Sequence, residues 1–381
     1  MNLSVIFHSW LFKDGSGYWC KDVYGIYFEK LAERFDLNLV ATVKEDAQTF
    51  STRKFSSDHR IVITHLPNNP LSKMAALWNG IRNAEFVLIF MPTYSGAFAG
   101  VVARISGIPY AVYHGIDWVQ NTTWARRVDS SRLGWLIERF EPFWIRWWDM
   151  QLIRGSRFVL TAGGQLQEKY QSLGLRVIPT VPIIQFARRD LCVPKKSLHS
   201  PIRLLYVGGL MVRKGVQDLL SALTKLRGRL DFTLTLVGDG PDRRLIEKKV
   251  KALGLDQQVH LAGFVAASDE LKNIYRTHDI FVLPSYAEGF PRVLYEAALF
   301  GLPILTTDVN GIPYLLQDEH SALFLRVGGI EDIANKVGRI CEDTDLRCRI
   351  AKEANQIVTD ILDCPAWQQH GDLILSEMTN N

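Results

Sequence analysis

The residues of this chain whose types and spacing best suit chemistry are two carboxylates, Glu288 and Glu296, with seven residues between them. Pro291 lies in that interval where a helix would open. A proline at the first helical position loses nothing, because its missing N–H is one that a helix start leaves unpaired anyway. Gly289, Phe290 and the residues just after Pro291, Val293 and Leu294 among them, would then present backbone N–H groups at the positive end of a helix, a ready anion site. An acid beside a phosphate is a poor charge partner but a good acceptor for sugar hydroxyls. The chemistry read from these residues is recognition of a ligand that is part phosphate and part sugar.

Further candidates lie upstream. From Leu204 to Gly215 an apolar run enters Gly208 and Gly209 and then reaches Arg213 and Lys214. Glycines let backbone approach a ligand closely, and adjacent cations can neutralise a diphosphate; a solvated Arg-Lys pair is the plain alternative. Gly238-Asp239-Gly240-Pro241 reads as a turn that either lines a pocket or merely scaffolds it. Asp14-Gly15-Ser16-Gly17 follows the first strand pattern and precedes a helical one, a place for a phosphate-facing loop, although a lone Gly-x-Gly is a weak signal and a simple turn has the same letters. His114 ends another strand pattern, where a proton-handling imidazole and a satisfied core histidine both fit.

The pattern E-G-F-P-x-V-L-Y-E-A-x-x-x-G-x-P-I that starts at Glu288 resembles the donor site of retaining glycosyltransferases of family 4. The resemblance implies an α/β chain of GT-B fold, with two Rossmann-like doubly wound domains facing a central cleft and a C-terminal helix crossing back to the N-terminal domain. It implies metal-independent, retaining, hexosyltransferase-type transfer from a nucleotide-diphosphate sugar to an acceptor hydroxyl, with no cofactor. By the same resemblance Glu288 and His114 contact the sugar at the reaction centre, and Glu296 takes the ribose. Arg213, Lys214 and the Pro291 helix start would hold the diphosphate. Gly209 and the Gly15-Ser16-Gly17 loop would line the donor phosphates, and Gly263-Phe264 the base. The leaving phosphate itself would assist the acceptor hydroxyl. No Asp-x-Asp metal motif sits in a loop of the right kind; Asp343-Thr344-Asp345 falls between helical segments and reads as surface. Thr161-Ala162-Gly163-Gly164 and Pro179-Thr180-Val181-Pro182 depart from the family pattern, which touches acceptor contacts and hinge geometry. Two rivals share the architecture: a catalytically silent nucleotide-sugar-binding partner subunit and a sugar-nucleotide epimerase.

These residues need elements to position them. Apolar runs at Leu3–His8, Leu37–Val43, Arg60–Leu66, Phe86–Phe90, Tyr110–Tyr113 and Phe158–Thr161 alternate with helical patterns such as Lys21–Phe35 and Leu71–Arg82, the signature of a parallel α/β sheet. After the polar stretch Arg188–Pro201, read as the linker, the same grammar restarts. The expected domains are 1–190, on the acceptor side, and 201–365, for the nucleotide sugar. The last helix, 366–381, is expected to return to the first domain through Trp367, with local docking on the second as the alternative.

At 381 residues the chain suits two domains. No apolar run reaches membrane-spanning length and no signal-peptide pattern opens the chain, so the expected location is the cytoplasm, at the inner face of the membrane if the acceptor is lipid-linked. The five cysteines have no metal or disulfide spacing. Residues 1–200 carry 24 Lys and Arg against 16 Asp and Glu, and the remainder 20 against 24, so the basic half suits an anionic surface or acceptor. No nucleic-acid-binding motif is present, and nucleic acid is not an expected partner. Trp118–Arg157 holds six of the ten tryptophans and seven arginines, a composition that fits peripheral membrane contact and a lipid-linked glycan acceptor, or equally a helical pair packed into the core.

Overall fold

A computed structural model describes residues 1–7, 9–45, 53–55, 60–91, 93–114, 147, 150–161, 164–184, 186–288 and 291–379. The chain forms two compact units, Met1–Gln185 with Cys364–Asn381, and Phe186–Asp363.

In unit 1 the strands in chain order are β1 (Asn2–Ile6), β2 (Leu11–Asp14), β3 (Gly17–Cys20), β4 (Asp36–Ala41), β5 (Val43–Glu45), β6 (Arg53–Lys54), β7 (Ile61–His65), β8 (Phe86–Met91), β9 (Tyr110–His114), β10 (Val159–Thr161) and β11 (Val177–Pro179). Seven form a sheet of order β11-β10-β9-β8-β1-β4-β7, parallel at every pairing. Every residue of β8, Phe-Val-Leu-Ile-Phe-Met, is buried, as a central parallel strand covered on both faces requires. One face is covered by α1 (Asp22–Ala32), the other by α2 (Pro70–Ile81), α3 (Tyr94–Ile105) and α4 (Gln165–Gln171), each face with its own apolar core. Asn69 caps α2 by accepting from the Leu71 and Ser72 N–H groups, and Thr93 caps α3 through Gly96.

A second sheet, β5-β2-β3-β6, is absent from the sequence reading. It rises directly after β1 and β4, and it moves the Asp14–Gly17 loop from a strand-to-helix junction to the tip of a β2–β3 hairpin.

In unit 2 the strands β12 (Ile202–Val207), β13 (Phe232–Val237), β14 (Val259–Gly263), β15 (Ile280–Leu283), β16 (Ile304–Thr307) and β17 (Leu323–Leu325) form a parallel sheet of order β14-β13-β12-β15-β16-β17. Its helices are α5 (Val216–Thr224), α6 (Arg243–Ala252), α7 (Asp269–Thr277), α8 (Arg292–Leu299), α9 (Ile330–Glu342) and α10 (Thr344–Asp363). The stretch Arg188–Pro201, expected as a linker, is instead strapped onto this unit. Cys192 N–H donates to Leu299 O, Lys195 Nζ to His278 O, and His199 pairs with Asp279. Polar composition alone does not separate a linker from a segment whose polar groups are paired.

The final helix, α11 (Ala366–Thr379), belongs to unit 1. Ala366 and Ile374 are buried in the α1-side core, Trp367 packs at its rim, and Lys30 Nζ lies 5.8 Å from the Trp367 ring centroid. His370 is fully buried, with Nδ1 against the Tyr27 hydroxyl at 2.7 Å and Nε2 against Thr180 Oγ1. Burial pushes its imidazole down to about 3. The unfolded chain protonates this histidine near pH 6.5. Its contribution is therefore complete above about pH 6.5 and shrinks as the pH falls toward 3. Urea unfolding should show His370→Gln losing about 1 kcal/mol less than the parent between about pH 7.5 and 5.5. Equal losses in both would contradict the neutral, buried histidine.

Candidate functional site

The site of unit 2 begins with a close backbone approach. Gly215 has φ +68°, and a Cβ there would stand 1.9 Å from the carbonyl oxygen of Pro284, so only glycine lets the turn after Lys214 lie against the end of β15. The Val212–Lys214 turn is anchored from the other side by Asp242, whose carboxylate accepts the Val212 N–H at 2.6 Å. Tyr286 N–H then donates to Arg213 O at 2.8 Å, and Arg213 Nη1 to Ala287 O at 3.2 Å. These bonds zip residues 212–215 onto residues 284–288.

The zip brings Lys214 onto Glu288. Its ammonium reaches the two carboxylate oxygens at 2.6 and 2.8 Å, with both side chains largely buried. Ser285 Oγ donates to Oε1 at 2.6 Å, the Asn310 side-chain amide donates to the Glu288 carbonyl, and Thr307 Oγ1 to Ser285 O at 2.7 Å. Glu288 is thus oriented through both side chain and backbone. Lys214 spends two N–H groups on it and has a third in its inventory for another acceptor.

Pro291 takes the N-cap position of α8, one residue before the expected first helical position, with φ −75° and ψ 90°. Its carbonyl accepts the Leu294 N–H at 3.0 Å, and the Leu294 side chain is buried in the core, so Leu294 offers no donor to an anion, contrary to expectation. Val293 is half-buried, and Gly289 and Phe290 lie outside the described residues. Glu296 is buried on the same helix and accepts the Tyr275 hydroxyl at 2.8 Å. Burial raises its carboxyl above the usual range, while the Tyr275 hydrogen bond and the Arg292 charge oppose that rise.

Around this cluster, Gly209 O accepts the Tyr206 hydroxyl at 2.8 Å, and Gly263, at φ +75°, accepts the Gly238 N–H at 2.7 Å. Phe264 follows Gly263 and is exposed.

Unit 1 holds the other expected residues. His114 ends β9, buried, with Nδ1 2.7 Å from the Tyr170 hydroxyl and the two rings stacked. The Gly15-Ser16-Gly17 loop does not match its expected role. Asp14 Oδ1 accepts from Ser16 N at 2.8 Å, Ser16 Oγ at 2.7 Å and Gly17 N at 3.1 Å, so a carboxylate already occupies the donors assigned to a phosphate. The Ser16 hydroxyl first of all, then Trp19 and the backbone, holds the Asp14 carboxyl down to about 2. The Trp118–Arg157 segment lies mostly outside the described residues; Leu152 and Ile153 near its end are core. Residues that the sequence reading missed are Ser285, Asn310 and Asp242. Asn310 carried a signal, the Asn-Gly turn dipeptide, and it adopts φ +50°.

Among the described residues, no group of three or more His, Cys, Asp or Glu side chains is placed to hold a metal ion, and no helix is long and apolar enough to cross a membrane.

Two Rossmann-like parallel α/β units, one of them closed by the helix that follows the other, define a protein of GT-B fold. The family model for glycosyl transferases group 1 matches residues 193–357. The alpha-D-kanosaminyltransferase of Streptomyces kanamyceticus is 32% identical over 268 residues, covering 67% of this chain and 67% of that protein. The chain belongs to the group 1 glycosyl transferases. It is 27% identical over 187 residues to the N,N'-diacetylbacillosaminyl-diphospho-undecaprenol alpha-1,3-N-acetylgalactosaminyltransferase of Campylobacter jejuni, 49% of this chain and 48% of that one. It spans about half the length of several other curated relatives. In fold it is similar to HepE of Anabaena in complex with UDP-glucose, with TM-score 0.72, 18% identity and coverage of 99% of this chain and 100% of that one.

The Lys214–Glu288 pair generates a stability test. Lys214→Met leaves a buried carboxylate without its cation and should cost about 3 kcal/mol, most of it recovered in Lys214→Met/Glu288→Gln. Denaturant unfolding of the parent, both single variants and the double variant measures the coupling; additive effects would show that the two groups do not depend on each other.

Proposed function

We propose that this chain is a retaining, metal-independent glycosyltransferase of family 4 that moves a hexosyl group from a nucleotide-diphosphate sugar to a hydroxyl of a glycan or lipid-linked acceptor. The observation that carries the reading is Lys214, with Arg213 beside it, seated on an oriented Glu288 next to the start of α8. In this reading Arg213, the remaining N–H of Lys214 and the α8 N-terminus receive the diphosphate and stabilise it as it leaves, the task that a metal ion performs elsewhere. Glu288, fixed by Lys214 and Ser285, accepts from hydroxyls of the transferred sugar. Glu296 accepts from the ribose, whose hydroxyls would favour its charged form against the burial that disfavours it. The acceptor hydroxyl loses its proton to the departing phosphate, so no separate carboxylate base is required at hydrolase spacing. His114 contacts the sugar, with its ring held by Tyr170.

The relatives support this reading. The Campylobacter protein's name specifies a polyprenyl-diphosphate acceptor, and HepE was solved with UDP-glucose. A lipid-linked acceptor would place the chain at the inner face of the cytoplasmic membrane.

Thermal-shift screening against UDP-, GDP- and ADP-sugars tests the donor site. The true donor at about a hundredfold its dissociation constant should add about 2.7 kcal/mol; no shift with any of them would sink the assignment. With the donor known, Glu296→Ala should chiefly raise KM for it, whereas Glu288→Ala should lower kcat by about a hundredfold. Steady-state release of the free nucleoside diphosphate separates the two effects. Donor binding with no release by the parent in the presence of membrane extract would favour a silent binding subunit.

A further inference from the structure

Tyr275 is fully buried, and the proposed transfer gives its hydroxyl no task. The side chain leaves α7 one turn after Leu271, on the apolar stripe that this helix buries. Its ring stacks on Phe300, with centroids 5.2 Å apart and an interplanar angle of 7°, and its hydroxyl donates to Glu296 Oε2 at 2.8 Å. Glu296 and Phe300 stand at i and i+4, and the Phe300 N–H donates to Glu296 O at 3.1 Å, so the two side chains share one face of α8. Tyr275 thus grips α8 at two points one turn apart. Phe281 and Phe186, with ring centroids at 6.2 and 6.4 Å, complete the aromatic surround. Beyond it Asp190 pairs with Lys272 and Arg276, which clamps the segment carrying Phe186 onto α7.

A carboxylate as buried as Glu296 needs donors to stay charged. Burial first of all, and then the Glu296 charge, pushes ionisation of the Tyr275 phenol well above its usual range, so the hydroxyl remains a donor at any working pH. Its hydrogen bond opposes the rise that burial imposes on the Glu296 carboxyl, as does the charge of Arg292 one turn earlier on α8. Of the elements packed on α8, α10 presents Asn355, whose amide donates to Ala298 O at 2.7 Å, and β16 carries Thr306 and Thr307, all of them neutral. An ionised carboxylate accepts hydrogen bonds at both oxygens, whereas protonation turns one of them into a donor.

We propose that Tyr275 is a positioning residue for the donor, its hydroxyl fixing one oxygen of Glu296 and presenting the other to the ribose hydroxyls. This role rests on the reading of Glu296 as the ribose acceptor, and it adds a source of selectivity. A ribonucleotide offers Glu296 a 2′-hydroxyl that a 2′-deoxyribonucleotide lacks, and a site built to accept a hydroxyl rejects the analogue without it. That preference lasts while Glu296 is ionised and aimed, which is the task of Tyr275.

The test is calorimetric binding to the full chain of a nucleoside diphosphate (UDP, GDP or ADP, as the thermal shift selects) and of its 2′-deoxy form, from about pH 5 to 9. The ratio of the two dissociation constants cancels both the titration of the phosphates and any general weakening of the pocket. The parent should favour the ribonucleotide at least about tenfold at the alkaline end and lose that preference as acid protonates Glu296. Tyr275→Phe keeps the ring on Phe300 and removes the donor, so its loss of preference should begin about one pH unit higher. The stronger donor 3-fluorotyrosine in place of Tyr275, nearly the same in size, should move the loss to lower pH. A residue that merely fills the core would produce neither shift. If Glu296→Gln leaves the preference unchanged, the ribose assignment fails and the role of Tyr275 with it. If Glu296→Gln abolishes the preference while both Tyr275 variants keep the parent's ratio at every pH, the role alone falls. Should Tyr275→Phe not fold, the fluorotyrosine protein decides, and an unmoved profile overturns the proposal.

Discussion

At Gly215 the lack of one β-carbon decides what unit 2 can present to a ligand. Any side chain there would collide with the Pro284 carbonyl. With none, the turn carrying Arg213 and Lys214 rests on the segment carrying Glu288, and two backbone-directed hydrogen bonds lock it in place. The salt bridge is downstream of this approach. Two flexible, solvated side chains would gain little from pairing, but side chains held on abutting main chains and screened from water lose little freedom when they meet. The same device recurs on the neighbouring strand, where Gly238, at φ +138°, allows its backbone to within touching distance of Gly208. At both places the carboxyl edge of this sheet brings main chain directly against main chain.

Much of this was legible in the chain. β8 and the Ile280–Leu283 strand are unbroken apolar runs of strand length, and such runs belong to sheets covered on both faces. The cation pair and the two glutamates stood out by type and by their glycine and proline neighbours. What the letters could not reveal was the pairing of Lys214 with Glu288, 74 residues apart, because it depends on β12 lying beside β15. Ser285 is an ordinary serine until its hydroxyl is seen on Glu288.

The opposite holds at Asp14-Gly15-Ser16-Gly17. The glycines permit an approaching phosphate, whereas the acid beside them takes the Ser16 and Gly17 N–H groups. Strands of four residues and two carry too few alternations to register as a sheet, so the hairpin that owns this turn was invisible. The Arg188–Pro201 stretch has the composition of a linker, and only its partners at the α7–β15 junction and on α8 show that it is a fixed strap.

Helix α11 has one more consequence, for the order in which the molecule is assembled. Residues 186–363 form a self-contained unit interposed in the sequence of the other. Tyr27 and Thr180 both wait for His370, and the aromatic core around Phe28 waits for Ala366 and Ile374. During synthesis unit 2 can close as soon as its own residues emerge, while the unit begun first stays open along one flank until the chain has passed residue 363. The earliest part of the sequence to be made is thus the last to finish folding, and loss of the segment beyond 363 would injure the unit farthest from it in the chain.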